Sequence, residues 1–254
     1  MIDWIERRLA SSPVAAAMRR FAPQLAFVRA RLSRRSEVGL RLTLSVLLFI
    51  GAAWLFAGVA EDVVSGDPLV EVDHAITRWF RAHATPGVTR WMLLVTDAHD
   101  AGPIGGLALA FALCLAWRRH RYWLLILILV LPGGMLFNLL LKQIFQRGRP
   151  LLDEPLLSLA SYGFPSGHVT AATLFYGVMA AFLAARTPRL RGRLALYAAA
   201  CFMVVLVGTT RIYLGAHFFS DVVAAAAAST AWLVLWLVLM AARARRRAAH
   251  RRSA

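Results

Sequence analysis

Residues 122–141 read YWLLILILVLPGGMLFNLLL, twenty residues without a charge, and Lys142 follows at once. About 20 apolar residues are what a helix needs to cross the hydrocarbon core of a bilayer. Five further stretches qualify, at 42–60, 101–117, 167–185, 194–210 and 218–240, and the only charge inside them stands near the start of the last, at Asp221. The expected fold class is therefore all-α, a six-transmembrane helical bundle occupying 42–240. Pro132 is expected to bend its helix, because a proline inside a span frees a backbone carbonyl.

Composition agrees with this reading. Of 254 residues 59% are hydrophobic, and the mean hydropathy is +0.61. An average soluble domain is roughly 45–50% apolar, so neither a disordered chain nor an ordinary soluble domain fits. The balance of 29 Lys+Arg against 13 Asp+Glu gives a formal net charge of +16. Such a charge raises nucleic acid as a partner, but the arginines are distributed by topology instead. The segments 1–41, 118–121, 186–193 and 241–254 fall on one side of a six-span bundle and carry 22 Lys+Arg; the segments on the other side carry 7. By the positive-inside rule the first side is cytoplasmic, both termini included. No nucleic-acid partner is expected, and the oligomeric state is not legible.

Residues 1–41 form a basic segment lacking the order of a cleavable signal peptide. Phe21, Leu25, Val28 and Leu32 share one helical face among arginines. They fit either an N-terminal interfacial helix on an anionic leaflet or a solvated basic tail. Residues 241–254 read as a basic cytoplasmic anchor. Cys114 and Cys201 lie inside apolar runs and suggest neither a disulfide nor a metal site.

Three clusters fall at the side opposite the basic one. The first is Lys142-Gln-Ile-Phe-Gln-Arg147-Gly-Arg149-Pro150. Isolated cations there could be snorkelling to the interface. This density, which includes the only lysine in the chain, is better explained by an anion site, since Arg and Lys bind phosphate through charge-assisted hydrogen bonds. The second is Gly163-Phe-Pro165-Ser166-Gly167-His168. It reads as a helix start, with Ser166 able to cap, Gly167 allowing close backbone approach, and free N–H groups that suit an anion. His168 in its first turn is either structural or catalytic.

The third runs from Thr210-Arg211 to His217-Phe-Phe-Ser-Asp221. His217 and Asp221 are four apart, on one helical face. An aspartate inside an apolar run needs a partner. A carboxylate that holds one imidazole nitrogen leaves the other free as a nucleophile. A buried structural His–Asp pair is the alternative. Cations, a helix-start anion nest, an oriented histidine and a second histidine able to act as acid together suit metal-free phosphoryl transfer through a phosphohistidine. No acidic cluster suggests a metal, and no cofactor is expected.

At these residues the chain resembles the type 2 phosphatidic acid phosphatase superfamily, integral-membrane lipid phosphatases related to bacterial acid phosphatases and vanadium haloperoxidases. The family pattern is Lys-x6-Arg-Pro, Pro-Ser-Gly-His and Ser-Arg-x5-His-x3-Asp. This chain has Lys142-x6-Arg149-Pro150, Pro165-Ser166-Gly167-His168 and Arg211-x5-His217-x3-Asp221, with Thr210 where Ser is usual. The resemblance implies that His217 attacks phosphorus, Asp221 orients it and His168 protonates the leaving oxygen. It implies that Lys142, Arg149, Arg211, Ser166 and the Gly167 amide bind phosphate; Arg147 lies outside the pattern. The implied substrate is a lipid phosphate or diphosphate, such as undecaprenyl diphosphate, phosphatidic acid or phosphatidylglycerol phosphate, hydrolysed at the extracytoplasmic face of the plasma membrane. A phosphotransferase of the same fold and a non-enzymatic transporter are the competing readings.

Overall fold

The computed structural model describes residues 37–66, 68–150 and 161–253. The proposed face Phe21–Leu32 and most of the segment 1–41 lie outside them. The chain divides into two units, residues 1–47 and 48–254. Of the first, only the opening turns of the first helix are described, and the site lies wholly in the second.

All regular structure among the described residues is helical: α1 Glu37–Ser65, α2 Pro68–Ala82, α3 Pro86–Asp97, α4 Ala101–Trp117, α5 Arg121–Phe145, α6 Gly167–Ala184, α7 Leu190–Tyr213 and α8 Phe219–Ser253. Each boundary has a local cause. α1 ends at Gly66, whose φ of +77° suits glycine and whose N–H bonds Asp62 O at 3.1 Å,. Pro68 and Pro86 occupy first-turn positions, where the missing N–H costs nothing,. Thr85 caps α3 by accepting from Val88 N.

Among the described residues five helices are long and apolar enough to cross a membrane: Leu42–Ser65 within α1, then α5, α6, α7 and Phe219–Ala248 within α8. The sixth expected span, 101–117, is α4. It passes the same test only together with α3, from which it bends by 47°. The two halves of that pair have different surroundings. Thr96 of α3 bonds Arg211, and Thr85 and Thr89 beside it bond Tyr213, so α3 packs along the end of α7. At about 1.5 Å per residue the 17 residues of α4 reach ~26 Å, just under the thickness of the hydrocarbon core,. The stretch between the first two expected spans is thus largely helical rather than a plain connection.

α6 is the central helix. Val169, Leu174 and Val178 on it are fully buried, and alanines fill most of its other faces. Leu174 and Val178 join Leu115 of α4, Ile126 and Val130 of α5 and Leu233 of α8 in the main core. Small residues let these helices come close, as helix pairs in membranes require. A Cβ on Gly134 would stand 2.4 Å from Leu174 Cδ1, and one on Gly177 would stand 2.4 Å from Leu233 Cδ2. Pro132 sits inside α5, which continues through it as one helix, and the Trp232 indole donates to the nearby Val130 carbonyl at 3.1 Å. Trp54 and Trp117 are 78% and 81% exposed, together with many leucines along α1, α4, α5 and α7. That much apolar surface suits lipid rather than water. α8 runs on without a break through the basic residues Arg243–Arg252.

Candidate active site

The C-terminal end of α5, the N-terminus of α6 and the turn from α7 into α8 meet at one end of the bundle. Hydrogen bonds tie the three sequence clusters together there. Arg149 donates from Nη1 to Ala216 O at 2.6 Å and lies 3.2 Å from His217 Nε2. Ser166 N–H donates to Asp221 O at 3.1 Å, and Gly163 N–H to Arg147 O at 2.8 Å. Gly163 is required by space, because a Cβ would stand 2.9 Å from Gly148 O and 3.3 Å from Asp221 Oδ2.

His217 is 2% exposed. Its Nδ1 lies 3.5 Å from Asp221 Oδ2, close enough for charge interaction but outside hydrogen-bond geometry, so Nδ1 has no hydrogen-bond partner. Catalytic hydrogen bonds in unliganded sites are often this long and tighten with substrate. The Arg149 N–H facing Nε2 favours the tautomer with its lone pair on Nε2 and its proton on Nδ1,. Burial pushes the imidazole down to about 4; Asp221 opposes this, and Arg149 and Arg211 add to it,. The ring is therefore neutral at pH 7. Burial also lowers Arg149 from its ordinary value, with Asp221 opposing.

His168 stands in the first turn of α6, its Nε2 2.6 Å from Asp100 Oδ1 at the start of α4. Arg211 is 2% exposed and donates from Nη1 to Thr96 Oγ1 at 2.6 Å, while its Nε has no partner. Lys142 donates to Tyr162 O. Lys142, Gln143, Arg147, Arg149, Ser161 and Tyr162 line a cavity of about 520 Å³.

One local expectation changes. Ser166 occupies the N-cap of α6, but its hydroxyl makes no capping bond and is buried without a partner. Beside Gly167 a Cβ would meet only Asn138 Oδ1 at 3.8 Å, an ordinary contact, so packing within the protein does not demand glycine there. Thr210, the departure from the family pattern, spends its hydroxyl on Val207 O at 2.7 Å in its own helix.

Several residues that the sequence reading passed over support the site. Arg147 donates from Nη1 to Asp221 Oδ1 at 2.7 Å and from Nη2 to Asp73 Oδ2 at 2.8 Å. Asp73, on α2, and Ser220 are both fully buried. Asn138, the one amide in the run 122–141, donates to Pro165 O at 3.3 Å and Thr170 Oγ1 at 3.0 Å and steadies the α6 start. Its position in an apolar run was a readable signal. The partnerships of Asp73, Thr96 and Asp100 had none, because each spans more than 60 residues. Among the described residues no group of three or more His, Cys, Asp or Glu is gathered as a cation site.

Residues 121–245 match the PAP2 superfamily. Phosphatidylglycerophosphatase B of Bacillus subtilis (strain 168) is 40% identical over 170 residues, which cover 66% of this chain and 83% of that protein. The crystal structure of a transmembrane PAP2-type phosphatidylglycerolphosphate phosphatase from Bacillus subtilis superposes with a TM-score of 0.65 at 28% identity, over 77% of this chain and 94% of that one. LpxE of Aquifex aeolicus shares the fold, with a TM-score of 0.51 at 22% identity over 64% of this chain and 93% of its own. With its three motifs gathered at one end of an all-helical, membrane-embedded bundle, the chain belongs to the PAP2 superfamily and is a membrane phosphatase of that family.

Proposed function

We propose that the protein hydrolyses a lipid phosphomonoester, phosphatidylglycerol phosphate first among the candidates, through a phosphohistidine at the extracytoplasmic face. The observation that carries the chemistry is the buried, neutral His217, with Nε2 open toward Arg149 and Nδ1 facing Asp221. The lone pair on Nε2 forms the N–P bond as the P–O bond to the lipid breaks. His168 gives its proton to the leaving oxygen, and its contact with Asp100 fixes the orientation of the ring,. Water then attacks phosphorus, with His168 taking its proton, and the N–P bond breaks with its electron pair returning to Nε2, releasing inorganic phosphate.

Lys142, Arg149, Arg211, Ser166 and the Gly167 amide hold the phosphoryl oxygens. The unpartnered Ser166 hydroxyl and Arg211 Nε support that assignment. Fixed cations and amides aimed at developing charge are the electrostatic part of such catalysis. They also supply the charge that a divalent ion provides elsewhere, so activity is expected to survive EDTA. The substrate class is supported by the likeness to the Bacillus subtilis phosphatases. The side of the membrane is supported by the distribution of basic residues, 22 against 7,.

The test is phosphate release from a panel of purified lipid phosphates and diphosphates in detergent, with His217→Ala as control. Phosphatidylglycerol phosphate should turn over fastest, and transfer of its phosphate to an added alcohol in preference to water would instead make the protein a phosphotransferase. Faster turnover of undecaprenyl diphosphate would move the substrate assignment. A cysteine placed near residue 155, in a chain without its native cysteines, should react with an impermeant reagent from outside intact cells, and one near residue 190 should not.

A further inference from the structure

Resting on His217 as the nucleophile, we propose that Asp73 and Arg147 are positioning residues that set the charge balance behind His217, acting through Asp221. Asp73 reaches the site from α2, well before the three motifs. One guanidinium, Arg147, is divided between two buried carboxylates, 2.7 Å from Asp221 Oδ1 and 2.8 Å from Asp73 Oδ2. Ser220 closes the group: its N–H donates to Asp73 Oδ1 at 2.8 Å, its hydroxyl donates to Asp73 Oδ2, and its oxygen accepts from Arg147 Nη1 at 2.6 Å. The Arg147 guanidinium also lies 4.6 Å over the Phe218 ring. Arg147 holds Asp221 Oδ1 while Phe218 N–H donates to Oδ2 at 2.9 Å, which aims Oδ2 at His217 Nδ1.

The arrangement has a charge arithmetic. Arg147 alone would cancel Asp221, and a neutral ion pair would stand behind the imidazole. Asp73 adds a second carboxylate, so the buried group carries one negative charge in excess. When His217 Nε2 bonds phosphorus, its ring becomes a cation that keeps the proton on Nδ1, and the group behind it becomes neutral overall. Charges buried this close interact far more strongly than in water. Arg149 faces His217 from the Nε2 side at 3.2 Å, where the negative phosphate of the substrate answers it. Asp73 therefore leaves Asp221 effective as a carboxylate despite its ion pair with Arg147.

The experiment uses the purified full chain in detergent with the lipid phosphate that the wild type hydrolyses fastest. It measures kcat and KM for Asp73→Asn, Arg147→Gln and the double variant, with melting temperatures. Asp73→Asn should lower kcat by ~10-fold or more and leave KM within about twofold, because the loss falls on the transition state. The double variant restores one excess negative charge and should turn over faster than either single variant. A purely structural role moves the melting temperatures in that order, because one partner alone is left as an uncompensated buried charge, but leaves kcat per folded molecule at the wild-type value. Wild-type kcat in Asp73→Asn overturns the proposal, and so does a double variant no faster than the single variants. If Asp73→Asn is not recovered folded, the comparison of Arg147→Gln with the double variant decides alone, and the double must be the faster. His217→Ala separates the two levels. Its retained activity refutes the nucleophile and this proposal together, whereas a dead His217→Ala beside failed charge compensation refutes the proposal alone.

Discussion

Residues 121–245 and residues 68–100 meet at the site and contribute in different ways. The first region holds the three motifs, in order and at family spacing, and it matches the superfamily. The second region carries none of the motif residues, yet three of the motif-region cations and imidazoles lean on it: Arg147 on Asp73, Arg211 on Thr96 and His168 on Asp100. One region supplies the groups proposed to hold a phosphate, and the other supplies hydrogen-bond partners that orient them. A site spread over the second region would be tuned by residues that no motif search records.

The largest test of the division lies within the motif region. His217→Ala should abolish turnover on every substrate, and a phosphohistidine trapped in that variant would break the assignment. The same residue fixes a pH expectation. Its nucleophilic form is the neutral one, and burial holds the ring down to about 4. Activity due to His217 is therefore retained as pH falls through 6.5 and lost only near 4. A pH profile of kcat/KM, corrected for substrate ionisation, should show that acid limb; a limb near 6.5 would mean that His217 is solvated.

His168→Ala comes next. General acid catalysis contributes about 10²–10⁴-fold, and an alkoxide needs it more than p-nitrophenolate does. Rapid-quench bursts should show a larger loss for alkyl than for aryl phosphates, and equal losses would leave His168 as a phosphate ligand only. Crossing to the second region, Asp100→Asn should cost about tenfold with an alkyl substrate, since this carboxylate is half exposed and partly screened,. Thr96→Val should be milder, roughly 2–10-fold and mainly in KM, because Arg211 keeps its charge but loses one orienting hydrogen bond. If these last two variants match the wild type, the second region is only scaffold.

Much of the fold could be read from periodicity and length alone. The run 122–141 lies inside α5, and 101–117 coincides with α4. What could not be read is where α3 stops being a connection and starts packing, since Pro86–Asp97 is too short and too mixed to announce itself as part of a membrane bundle. The candidate site divides in the same way. Lys142, Arg149, Ser166, His168, Arg211, His217 and Asp221 stand at the spacings of the family pattern, and the structure brings them to one end of the bundle. Arg147 lies outside the family pattern, and the structure shows its partner to be Asp73, 74 residues earlier. An ion pair of that separation leaves no local pattern. Ser166 shows the reverse error: its position at a helix start suggested a cap, but the hydroxyl makes no capping bond.

Lys142 has a consequence for handling the protein. It is the one lysine in 254 residues, and it lines the cavity beside Arg149. Apart from a chain terminus, amine-selective acylating and reductive-alkylating reagents have a single address in this molecule. Mass spectrometry of the Lys142 peptide then becomes an occupancy gauge: a tag there marks an open site, and its suppression by a bound headgroup measures affinity without any turnover. The same scarcity makes amine-coupled surface immobilisation a poor choice here, because the one side-chain attachment point is in the pocket itself.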